Sequence, residues 1–127
     1  MILTLPNAYD VLAPDGSEIR ILLSLGRGSM AHFQLHPGQV SRAVRHRSVE
    51  EIWYVVSGLG EMWQSSGGQE EIAALSAGTC LTIPVGVAFQ FRCLGEDPLA
   101  AIAITMPRWP GDGEAEIVTG TWTPAVG

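Results

Sequence analysis

The stretch VRHRSVEEIWYVVSGLG (44–60) holds two side chains able to do chemistry together, His46 and Glu51. A carboxylate beside an imidazole favours the imidazolium and fixes the ring's tautomer, which suits a general base. The same two residue types also ligate divalent transition metals. Arg42 falls on one alternating face with Val44 and His46, so an inward-pointing Arg42 could clamp a substrate carboxylate. The other histidines, His32 and His36, alternate with Ala31, Phe33 and Leu35, and are expected on a solvated polar face. The two cysteines, Cys80 and Cys93, are too few for a disulfide scaffold and are expected as reduced, small, buried residues. All seven basic residues are arginine, so Schiff-base and lysine-nucleophile chemistry are excluded.

These side chains must be positioned by strands. Short β-branched or alternating runs follow one another between fifteen glycines and eight prolines. They are EIRILLSL (18–25), MAHFQLH (30–36), EIWYVV (51–56), GEMWQ (60–64), CLTI (80–83), VAFQFRC (87–93), LAAIAITM (99–106) and EIVTGTW (116–122). Regular spacing of such runs predicts an all-β sandwich or barrel. A helical turn is conceivable only near GDGEAE. The length of 127 residues suits one domain, 46% of it is hydrophobic, and no linker or repeat divides it. A net charge of −6 argues against nucleic acid and anionic membrane as partners. The first residues lack the pattern of a signal peptide, and the longest apolar run falls far short of the roughly 18 residues of a membrane span, so a cytoplasmic location is expected.

The glycine frames resemble those of the cupin superfamily. Gly38 is followed by five residues, Val44-Arg45-His46, four residues, Glu51, six residues and Gly58. Gly78 is followed by five residues, Pro84-Val85-Gly86, two residues, Phe89, three residues and Cys93. These are similar to the two cupin motifs, with 19 residues between them, and the resemblance covers roughly residues 28–106. It implies a double-stranded β-helix, a jelly-roll barrel, with extensions at both ends of the core. It places Gly58 and Gly60 in a hairpin, and Pro84 and Gly86 in a sharp turn.

In metal-binding cupins three histidines and a glutamate converge inside the barrel. The resemblance keeps His46 and Glu51 at two of these positions and sets Val44 and Phe89, which cannot ligate, at the other two. Cys93 stands where the family has an asparagine. The implied cavity is lined by Val44, Trp53, Val55, Phe89 and Phe91, with His46 and Glu51 as its polar pair. The expected function is therefore metal-independent binding of a small molecule. The alternatives are an isomerase, lyase or oxygenase built on a His46/Glu51 dyad or on an atypical divalent metal site, and a barrel with a structural role only. EIWYVV, apolar on both faces, and the family's habit predict a homodimer, and Trp109 and Trp122 predict a C-terminal tail folded across a barrel.

Overall fold

A computed structural model describes residues 1–126. Eleven strands account for the regular structure: β1 (Val11–Leu12), β2 (Glu18–Leu25), β3 (Gly28–Leu35), β4 (Ala43–His46), β5 (Glu50–Ser57), β6 (Gly60–Ser66), β7 (Gln69–Leu75), β8 (Cys80–Ile83), β9 (Ala88–Cys93), β10 (Leu99–Met106) and β11 (Ala115–Val118). They form two antiparallel sheets, ordered β1-β2-β3-β10-β5-β8 and β11-β4-β9-β6-β7. The class is all-β, as expected. No helix among the described residues is long and apolar enough to cross a membrane.

Only β1–β2, β2–β3 and β6–β7 join neighbours of one sheet. The connections at Gly58–Gly60 and at Pro84–Gly86 both cross from the first sheet to the second, so Gly58 and Gly60 do not form the hairpin that the resemblance implies, whereas Pro84–Gly86 is the expected sharp turn, with Val87 N donating to Pro84 O. Gly58 still takes a positive φ of 87°, and a Cβ there would sit 2.6 Å from Leu99 Cα, so only glycine closes this corner.

The inner faces meet in a core of Leu35, Trp53, Val55, Leu75, Ile83, Phe91 and Leu99. Alanines on β10 shape it. Ala101 lies opposite Phe33 on β3, and Ala103 lies opposite Trp53 on β5. With no bulk between them, the two rings stack across β10, 5.3 Å apart and 9° from parallel.

The tail folds across its own barrel. Gln90 of β9 is fully buried and fastens it: its amide donates to Ser41 O and Trp122 O, and its Oε1 accepts from Thr121 N and Trp122 N. Arg92 lies over the Trp122 ring, 4.2 Å from its centre. GDGEAE is a turn leading into β11, not a helix.

Two surface expectations are corrected. His32 is buried, because the N-terminal segment packs over the outer face of the first sheet. Arg20, opposite His32 on β2, holds that segment by donating from Nε to Pro6 O at 2.8 Å and from Nη2 to Asn7 O at 2.8 Å. His36 remains partly exposed and pairs with Glu18 at 3.0 Å. Cys93 is buried as expected, but Cys80 is exposed on β8, and the two lie in different sheets.

Candidate functional site

The barrel is plugged at one end and hollow at the other. On β3, Phe33 lines the hollow and Leu35 does not; on β5, Glu51 and Trp53 line it and Val55 does not; on β9, Phe89 lines it and Phe91 does not. β4 runs antiparallel to β9 with Val44 opposite Phe89, so Arg42 sits at the depth of Phe91. It lies outside the lining, its guanidinium against the Gly16 turn. Alternation therefore assigns the face correctly for Val55 and Phe91, both in the core, but not the depth. The cavity that remains measures about 540 Å³, within the roughly 300–1,000 Å³ of small-molecule pockets.

His46 and Glu51 both line this cavity, yet they are not hydrogen-bonded to each other. Glu51 accepts from Trp53 Nε1 at 3.0 Å. Burial pushes its carboxyl up to about 7; the Trp53 bond opposes this and the nearby Asp15 carboxyl adds to it. His46 is pushed down by burial, with the Glu114 carboxylate opposing. Its ring stands edge-on to Phe89 at 5.3 Å and to Trp109 at 5.1 Å, and its Nδ1 is buried without a hydrogen-bond partner. The dyad expected from spacing is thus two separate groups. Glu51 faces an indole and Asp15, while His46 faces two aromatic rings and Glu114.

Three contributors come from segments with no local signature. Asp15 sits in the turn after β1, its carboxylate held by Ser17 N at 2.9 Å and Ser17 Oγ at 2.6 Å. Burial raises its pKa, against those bonds and the Arg42 charge. Trp109 closes the mouth, its backbone N donating to Ser29 Oγ at 3.0 Å. Glu114 lies behind His46 and accepts from Ser48 N at 2.7 Å, Ser48 Oγ at 2.8 Å and Val49 N at 2.6 Å. Burial would raise its pKa, but these bonds outweigh burial and hold it below the usual carboxylate range.

The donor set does not fit a tightly held metal ion. His46 and Glu51 face Val44 and Phe89, which have no lone pair to give, and Cys93 lies outside the lining. No group of three or more His, Cys, Asp or Glu among the described residues is placed to hold one. Closed zinc sites use four ligands and open ones three.

The family model for the cupin domain matches residues 31–105, and the chain belongs to that family. No curated protein matches it. Among solved structures, KdgF from Halomonas sp. is similar at 21% identity and a TM-score of 0.69, covering 81% of this chain and 90% of that one. A Klebsiella pneumoniae protein with a double-stranded β-helix domain is similar at 18% identity and a TM-score of 0.73, covering 94% and 97%. Oxalate decarboxylase from Bacillus subtilis is similar at 20% identity and a TM-score of 0.70, but the match spans 28% of that chain. At these identities the likeness is one of fold.

Proposed function

We propose that this cupin binds a small organic molecule in the hollow end of its barrel, without a metal ion. The observation that carries the reading is the Val44–Phe89 pair. Two apolar side chains stand directly opposite each other at positions where metal-binding cupins place histidines, and both face a cavity large enough for a ligand. Apolar walls with few polar groups suit a binding pocket.

Restoring the ligands tests this. Wild type should purify with well under one transition metal per chain. Val44→His with Phe89→His should be less stable without metal, since two imidazoles replace apolar groups. Mn, Ni or Zn should then raise its stability by about 2.7 kcal/mol at a hundredfold excess over the dissociation constant. Thermal melts with a chelator control read both effects. Stoichiometric metal in wild type, lost on His46→Ala, would overturn the proposal in favour of an atypical metalloenzyme.

One observation favours a second reading, proton-transfer catalysis. A cavity carboxyl poised near neutral pH suits a general acid or base. On that reading Glu51 acts without His46 as a hydrogen-bonded partner, and the isomerase and lyase classes fit better than an oxygenase.

A further inference from the structure

We propose that the cavity selects a compact organic cation, an alkylammonium or quaternary ammonium group, by seating it among Trp53, Phe89 and Trp109 beside the Glu51 carboxylate. This rests on the binding reading above and names the class of ligand.

The charges around the cavity argue first. Glu51 and Asp15 are 3% and 4% exposed, and both line it. Asp15 has local compensation from Ser17 and from the Arg42 charge. Glu51 has only the Trp53 N–H, and no ion pair reaches it among the described residues. A buried carboxylate without a counter-ion is costly. The one guanidinium in the lining, Arg108, is at the mouth and exposed, bonded to Ser24 Oγ at 3.3 Å. Above about pH 7, where Glu51 ionises, an anionic ligand would add a further negative charge beside it. A cation supplies the counter-charge that the protein lacks.

The walls argue second. Trp53 and Phe89 stand 78° apart in plane, with ring centres 6.0 Å apart. Trp109 lines the same cavity and stands edge-on to His46, 5.1 Å between ring centres. Trp53 is stacked on Phe33 over one face, and the aromatic surface that it, Phe89 and Trp109 turn to the cavity beside the carboxylate is of the kind that attracts quaternary ammonium groups. The net charge of −6 steers cations toward the molecule.

Three probes of one shape separate the outcomes in isothermal titration calorimetry: choline, its uncharged isostere 3,3-dimethylbutan-1-ol, and the anion 3,3-dimethylbutanoate. Choline should bind at least tenfold more tightly than the alcohol, and the anion least. Glu51→Gln should erase the preference of choline over the alcohol. Trp109→Leu, which alters only the mouth, should weaken choline at least fivefold. Equal binding of choline and the alcohol, or a preference that survives Glu51→Gln, would overturn cation selection and leave the binding reading standing. Failure of choline to bind also overturns it. If the alcohol and the anion fail too, the binding reading falls with it.

Discussion

Glu51 shows how one side chain can oppose the fold that holds it. Its pKa is lifted from 4.5 to about 7, so the folded form resists ionising it while the unfolded chain does not. The cost is absent below about pH 4.5, grows between there and pH 7, and stays constant above, reaching the order of 3 kcal/mol. Glu51→Gln keeps an acceptor for Trp53 Nε1 but cannot ionise. In chelator-treated protein, the variant should melt several degrees above wild type at pH 8 and at the same temperature at pH 4.5. Curves that keep one separation at both pH values would show that Glu51 is stabilised by something other than its neutral form. Val44 and Phe89 contribute from the other sheet: their apolar surface is part of what keeps the carboxyl dry.

At the scale of elements, the tail completes the barrel as well as decorating it. The turn before β11 delivers Glu114 to the β4–β5 connection, where one carboxylate satisfies two backbone N–H groups and a hydroxyl. Glu114→Ala leaves the N–H of fully buried Val49 without that partner, and should cost about 2–4 kcal/mol in a denaturant melt. Because the folded form holds this carboxyl below its usual value, its contribution is present above about pH 4.5 and is lost as pH falls through the lowered value. Acid should therefore destabilise wild type more than Glu114→Ala, and parallel acid melts would refute the role. Strands that alternate or stay apolar were legible: β2, β8 and β10 run where the sequence places them. The strand β7, QEEIAAL, was not, because it pairs only with β6 at the edge of its sheet and is exposed along most of its length. The short β1 and β4 carry too few residues to show a period. Of the site, Val44, His46, Glu51, Trp53 and Phe89 were legible from motif register. Asp15, Trp109 and Glu114 were not, since each comes from a turn or tail whose position only the closed barrel defines.

Across the whole molecule, the N-terminal segment covers part of the outer face of the first sheet and leaves the β5 side of it exposed. Along β5 the inward residues are buried, while Ile52, Tyr54 and Val56 are 48%, 51% and 41% exposed. Beside them an apolar groove of about 370 Å³ runs between Leu3 and Leu5 of the N-terminal segment and Leu22, Val56 and Ile102 of the sheet. Contiguous exposed apolar surface of this kind marks an interface more often than bare solvent contact. The homodimer expected from the doubly apolar EIWYVV run therefore has a face to form on. Tyr54 stands near the middle of that strand and points away from the cavity, so changing it separates assembly from binding. Tyr54→Glu places a charge on the patch and should convert a dimer to a monomer in sedimentation at micromolar concentration. Ligand affinity should stay within about twofold, because Ile52, Tyr54 and Val56 do not line the hollow end. A wild type that sediments as a monomer would remove the interface. A monomeric variant that also loses its ligand would mean that the second subunit helps to close the mouth, and that Trp109 does not close it alone.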